Sequence, residues 1–260
     1  VKPLLLILLT FTLPITVIAQ KNAPDTVSAF PLRDKIKLDG NLDEPVWQQV
    51  TPISNFIQRE PDLGKPGTEK TRVAVVYSPN ALYVGIWCYQ SHHKIIAKSL
   101  QRDFDFTSED NFKIVVSPFN DGRTGYEFVI NPNAARADLL VAANDEMNED
   151  WNGVWDAATV VNADGWFAEV EIPYNTLKFK NTAIQNWQIN LERNISANNE
   201  QDRWQNWSRN NNLENFSQAG TLNGMRGIKY SERFEFKPFI LGGWEFKKDT
   251  TPLSLTKKIG

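Results

Sequence analysis

Four of the nine tryptophans, Trp151, Trp155, Trp204 and Trp207, sit in loop-like sequence rich in Asn, Asp, Glu and Arg. A flat indole stacks on the apolar C–H face of a sugar ring, while neighbouring amide, carboxylate and guanidinium groups bond the hydroxyls at its rim. The stretch from Asn198 to Trp207 carries both ingredients. Plain packing is the competing reading for any one of these rings. As a group they point to binding, because aromatics on loops expose apolar surface unless something covers them. Trp47, Trp87, Trp166 and Trp187 lie inside periodic apolar patterns and are expected in the core.

Two acidic clusters form a second chemistry-bearing set. Asp103, Asp105, Glu109 and Asp110 precede a strand, and Asp145, Glu146, Glu149 and Asp150 precede Trp151. Hard oxygen ligands on loops suit calcium, although neither cluster has the alternating spacing of an EF-hand loop. A solvated loop held open by repulsion is the alternative. Catalytic signals are weak. His92 and His93 are the only histidines and adjoin one another, so an extended chain points them apart, and no His/Cys spacing supplies a zinc site. Cys88 is the only cysteine, which excludes an intramolecular disulfide and leaves packing as its expected role. There is no Gly-x-Ser-x-Gly elbow and no phosphate-cradling glycine loop. A glycosidase needs only two carboxylates, and no pair among the 31 acidic residues is marked out.

The elements that must position these groups read as strands. Lys2 followed by an apolar run to Ile18, with Val17-Ile18-Ala19 behind it, reads as a signal peptide cleaved after Ala19. The run is too short for a bilayer span and is broken by Pro14. Residues 20–29 read as a polar leader. The formal charge of −3 argues against a nucleic-acid partner. From Phe30 onward, period-two stretches alternate with turn clusters. Arg72–Tyr77 and Leu82–Tyr89 pair as a hairpin across Ser78-Pro79-Asn80, the second strand apolar on both faces and so central. Phe112–Val116 and Tyr126–Ile130 flank the turn Asn120-Asp121-Gly122. Ala158–Val161, Trp166–Ile172 and Trp187–Arg193 follow, with a helical turn expected at Tyr174–Leu177. No helical period is sustained. The pattern predicts an all-β chain folded as an antiparallel two-sheet, jelly-roll-like sandwich.

Several segments together resemble the family 9 carbohydrate-binding module, in the version found at the N-terminus of large exported, outer-membrane-associated bacterial proteins. They are Ile36-Lys37-Leu38-Asp39-Gly40 with Glu44-Pro45-Val46-Trp47, Glu69-Lys70-Thr71, Ala81-Leu82-Tyr83-Val84, Gly165 to Pro173, and Ala219-Gly220-Thr221-Leu222. The resemblance covers residues 30–230 and implies a two-sheet sandwich, often with structural calcium, that grips glycan chain ends between two aromatic side chains. Carried onto this chain, it offers Trp207 as one platform, with Trp204 beside it, and Phe104 or Phe106 opposite. It also offers Asn131 and Arg102 as partners for hydroxyls. Asp103, Asp110 and Asp150 become the candidates for calcium or for polar contacts. The sequence departs from the family pattern at Thr107, which stands nearest in register to one of the aromatics. It departs again at Lys113, which replaces an acidic residue, and at Ala219, which replaces an aromatic.

The expectation is a non-catalytic module of an exported protein, found in the periplasm, at the outer membrane or on the cell surface. It would bind an oligo- or polysaccharide in the service of carbohydrate catabolism. Residues 231–260 are expected to begin a further β region, through which the protein would associate with the outer membrane. Two alternatives stay open: an interaction domain of an outer-membrane barrel protein, and a glycoside hydrolase.

Overall fold

Period-two alternation decides which side of each strand meets the core. In this computed structural model residues 25–90, 95–142, 146–205 and 208–228 are described in full, and 242–247 and 254–259 by their backbone. The expected signal segment, the start of the leader, His92, His93, Asp145, Trp207 and the segment around Phe234 lie outside the described residues.

Two short strands, β1 (Thr26–Ser28) and β2 (Phe30–Pro31), precede the helix α1 (Pro45–Gln49) and β3 (Ile57–Glu60). The hairpin read from the sequence is β4 (Thr71–Tyr77) and β5 (Ala81–Tyr89), paired antiparallel. Next come β6 (Asn111–Ser117), β7 (Gly125–Ile130), β8 (Arg136–Val141) and β9 (Met147–Asn148). They are followed by β10 (Asp156–Asn162), β11 (Gly165–Pro173) and β12 (Ile184–Ile195). β13 (Glu200–Arg203) and β14 (Gly220–Arg226) complete the two main sheets. β15 (Gly242–Lys247) and β16 (Ser254–Ile259) pair with each other and not with either main sheet.

The larger sheet runs β1-β14-β12-β6-β7-β8-β9, with β13 and then β3 added beside β12. The smaller runs β10-β11-β5-β4-β2, so β5 is central, as its two apolar faces require. Both sheets are antiparallel apart from the pairings of β1 with β14 and β2 with β4. Between them Phe112, Ile114, Phe128, Trp187 and Leu191 meet Val73, Leu82, Ile86, Trp166 and Val170. The chain is an all-β two-sheet sandwich. Tyr174–Thr176 forms the expected short helical turn. Cys88 is fully buried in this core, and burial pushes its thiol up to about 12, which leaves it chemically quiet.

Helix α1 covers the outside of the smaller sheet with Val46, Trp47 and Val50. Pro45 opens it with no lost hydrogen bond, since a first-turn N–H has no helical partner. The Trp47 ring lies directly over Gly85, where an added Cβ would sit 2.9 Å from the indole. Its Nε1 donates to Glu169 Oε1 at 2.9 Å, while Glu169 Oε2 accepts from the Asp39 and Gly40 N–H groups, each at 3.0 Å. The opening Asp39-Gly40 turn and the Trp are thus fastened to one carboxylate.

Asp202, on β13 opposite Arg193, is 0% exposed, and neither carboxylate oxygen has a hydrogen-bond donor. Burial, with repulsion from Glu200, pushes it up to about 8. The folded protein therefore holds a proton that the unfolded chain has already released, and stability falls as pH rises from the ordinary carboxylate range through about 8. Asp202→Asn removes that dependence. Its melting temperature relative to the parent should rise steadily from about pH 5 to about pH 8 in thermal scans across that linkage range. A parent that keeps the advantage at the alkaline end would overturn the assignment.

Candidate functional site

The chain between β5 and β6 is held across the outer side of the larger sheet by its own carboxylates. Glu109 accepts from Lys98 N at 2.7 Å, Ser99 N at 3.2 Å and Asn131 Nδ2 at 3.1 Å. Burial pushes Glu109 up, but these donors outweigh it and hold the carboxyl below its usual value. Asp105 caps a single helical turn by accepting from the N–H and hydroxyl of Thr107. Asn111 Nδ2 holds Phe106 O and Glu109 O, and Asp103 N reaches Arg136 O on β8.

These ties set Phe104 and Phe106 edge to face, with ring centroids 6.1 Å apart, over the outward residues of β7 and β8. Phe104 packs on Val129, Ala135, Ala137 and Leu139, and Phe106 is half-buried beside it. The result is an open cleft of about 370 Å³. Ala137, Leu139 and the two Phe rings form its apolar lining, and Asp103, Asp105, Thr107, Asp138 and Glu149 supply the polar groups.

Arg102 stands at the edge of this cleft and ties it to the next loop. Its Nε donates to Asn152 Oδ1 at 3.0 Å, and its Nη2 donates to Gly153 O at 3.1 Å and to Asp138 Oδ1. Asp138 Oδ2 also accepts from Gly153 N. Burial pushes the Asp138 carboxyl up, against the pull of those partners.

On the other side of Phe106 lies a buried ionic network that the sequence reading passed over. The strand register sets Lys113 of β6, Glu127 of β7, Glu192 of β12 and Arg203 of β13 on the face opposite the core. Lys113 Nζ lies 4.7 Å from the Phe106 ring centroid, 3.4 Å from Glu127 and 3.7 Å from Glu192. Arg203 Nε donates to the second Glu192 oxygen at 2.6 Å. Burial pushes Glu192 up, yet Lys113 and Arg203 together outweigh it and hold it below its usual value. Burial, helped by Glu214 and Glu192 against the pull of Lys113, pushes Glu127 up to about 8. The signal was legible in principle: Lys113, Glu127 and Glu192 alternate with core residues. Phe106 and the other loop residues above them bury that face.

The structure thus brings Asp103, Phe104 and Phe106 to one cleft, with Arg102 bonded to Asp138 of its lining rather than lining it. It does not bring the other candidates there. Trp204 is 1% exposed, and its indole covers Gly220, where an added Cβ would lie 2.3 Å from the ring. Its Nε1 is used by Asn55 Oδ1 at 3.1 Å, so Trp204 is corrected to a core residue. Trp151 and Trp155 pack on Tyr126 and Phe128 and also act as core. Asn131 is likewise corrected. Its two N–H groups reach Ser99 O and Glu109, and its Oδ1 accepts from Asn133 N and Ala135 N, so no group remains for a ligand. Trp207 lies outside the described residues.

Among the described residues no three acidic, histidine or cysteine side chains converge. Asp103 lines the cleft beside Arg102, and Asp150 is exposed. Asp110 is buried, and one of its oxygens accepts from Ser196 N.

No family sequence profile and no curated protein matches the chain. Solved structures do. A Bacteroides uniformis protein, provisionally described as carbohydrate-binding, aligns with TM-score 0.62 at 11% identity, over 77% of this chain and 99% of its own. A family 9 carbohydrate-binding module from Caldicellulosiruptor kristjanssonii, in complex with glucose, aligns with TM-score 0.56 at 14% identity, over 82% of this chain and 100% of its own. A structure of a module of that family from the same organism, in complex with cellotriose, gives 0.55 at 15% identity, over 82% of this chain and 99% of its own. The fold is that of a family 9 carbohydrate-binding module. On this CBM9-like fold the cleft and the ionic network both lie on the outer face of the larger sheet, joined at Phe106.

Glu192 is the member on which the network depends, since it answers both cations. Glu192→Ala leaves Lys113 and Arg203 buried without their shared partner, and should destabilise the fold by about 3–5 kcal/mol in urea denaturation. A loss below about 1 kcal/mol, the range of an exposed pair, would mean that solvent reaches the network freely.

Proposed function

We propose that this chain is a non-catalytic carbohydrate-binding module of an exported protein and that its ligand sits in the Phe104–Phe106 cleft. The observation that carries the reading is the composition of that cleft: two aromatic rings and an apolar floor, bordered by Asp103, Asp105, Thr107 and Glu149. Apolar C–H faces match the floor, and hydroxyls match carboxylate acceptors at the rim. The CBM9-like fold supports the reading, because solved structures of that fold hold glucose and cellotriose. Lys113, with its ammonium over Phe106, stiffens the ring from behind.

Export rests on the first nineteen residues, with their basic start, apolar run and small residue at the cleavage point. An exported glycan-binding module suits the capture of polysaccharide for breakdown. The segment from residue 231 is read as the start of the outer-membrane-associated region.

Titration with gluco-oligosaccharides tests the cleft. Phe106→Ala should weaken binding by about tenfold, since an aromatic contact contributes about 0.5–1.5 kcal/mol beyond its area and 1.4 kcal/mol is a factor of ten. Circular dichroism should be unchanged, because Phe106 is only half-buried. Unaltered affinity in that variant would place the ligand elsewhere.

A further inference from the structure

The charge of the cleft is one-sided. Asp103, Asp105, Asp138 and Glu149 line it, and no lining residue is basic. The two nearest cations do not balance it: Arg102 is shared between Asp138 and, at 3.8 Å, Asp103, and Lys113 stands between Glu127 and Glu192. Asp138 and Asp105 hold the cleft together through Gly153 N and Thr107. Asp103 and Glu149 differ from them. Asp103 adopts a left-handed backbone, φ 57°, which leaves its side chain about half exposed at 49%. Glu149 is exposed and lines the same cleft.

Carboxylates so placed accept hydrogen bonds from neutral sugars, but the excess of four carboxylates over the one Arg102 guanidinium adds nothing to a neutral ring. It repels uronic acids and sulfated sugars. It attracts a sugar bearing a free ammonium, and the attraction is several times stronger in a partly desolvated cleft than in bulk water. We infer that the preferred ligand unit is an amino sugar with an unacylated amine, its ring on Phe106 and its ammonium between Asp103 and Glu149. This inference rests on the cleft being a glycan site.

Calorimetric titration of the whole chain with tetramers of glucosamine, N-acetylglucosamine, glucose and galacturonic acid tests it. The glucosamine tetramer should bind at least about tenfold tighter than the neutral pair at low ionic strength, and galacturonate should bind least. The advantage should shrink on raising the salt toward about 1 M, where screening acts over about 3 Å. The double variant Asp103→Asn with Glu149→Gln keeps the shapes, and Asn tolerates the left-handed backbone. It should weaken both tetramers, because the same carboxylates accept from hydroxyls, but the glucosamine tetramer should lose at least about tenfold more than the glucose tetramer, and Phe106→Ala should weaken both about equally. Equal affinity for glucosamine and glucose tetramers in the parent would overturn the inference while leaving the glycan reading intact. So would an equal loss for both in the double variant. Glucosamine binding that survives Phe106→Ala unchanged would assign the attraction to general surface charge and overturn it too. No detectable binding of any tetramer would overturn the glycan reading itself.

Discussion

A strand in a two-sheet sandwich commits one face to the space between the sheets, and its other face must find separate cover. On the larger sheet that second face carries Lys113, Glu127, Glu192 and Arg203, and burying such charges is tolerable only if they answer one another. Glu192 does so from the middle of β12, the strand that also pairs with β6, β13 and β14. A slip of one residue in any of these pairings would send the charges into the core and core residues outward. The network therefore fixes the register that holds the face in place. Phe106 depends on it in turn, because the ring rests against the Lys113 ammonium. The aromatic wall of the cleft is built on the ion network.

The loop carrying Phe104 and Phe106 is organised by carboxylates that point at backbone N–H groups. Glu109 gathers Lys98, Ser99 and Asn131, Asp110 takes Ser196, and Asp105 takes Thr107. A hydrogen bond to a charged group contributes about 1.5–3 kcal/mol, enough to order a loop that has no strand of its own. Three of the acidic residues read from the sequence as calcium candidates thus hold backbone in place here. One oxygen each of Asp105, Glu109 and Asp110 accepts from the protein, while Asp103, Asp105 and Glu149 line the cleft.

The strands were legible because the alternation of β4 to β7, β11 and β12 reports directly on which side meets the core. The four tryptophans in periodic surroundings were legible for the same reason: Trp47, Trp87, Trp166 and Trp187 are all buried. The described loop tryptophans, Trp151, Trp155 and Trp204, were hard to place because an indole needs one hydrogen-bond partner when buried, and polar neighbours in sequence look the same whether they serve a ligand or that N–H. Trp204 is the instance: its partner is Asn55, 149 residues away. Asn131 failed similarly. A polar residue at the end of a strand is as useful for closing a turn as for meeting a ligand, and only its four bonds decide between them. The ionic network was missed because nothing local in sequence states that the polar side of a strand will be roofed by a loop from elsewhere. β8, which forms the floor of the cleft, was missed too: Arg136 and Asp138 interrupt its apolar alternation because they answer Asp156 and Arg102.

The likeness to known modules at 11–15% identity has a physical reading as well. A sandwich core accepts almost complete replacement of its side chains, provided volume and alternation are kept. The fold can therefore persist while the loops that dress it are rewritten, and specificity belongs to those loops. In this chain the rewriting has left the outer face rigid and the rim acidic. Rigidity matters because ordering loops and side chains on binding subtracts directly from affinity. Here Glu109, Asp138 and the Lys113 network have already done that ordering in the folded chain. On the reading proposed above, what remains for a ligand is to cover Phe106 and to meet the carboxylates of Asp103 and Glu149, which carry little of the bonding that builds the cleft.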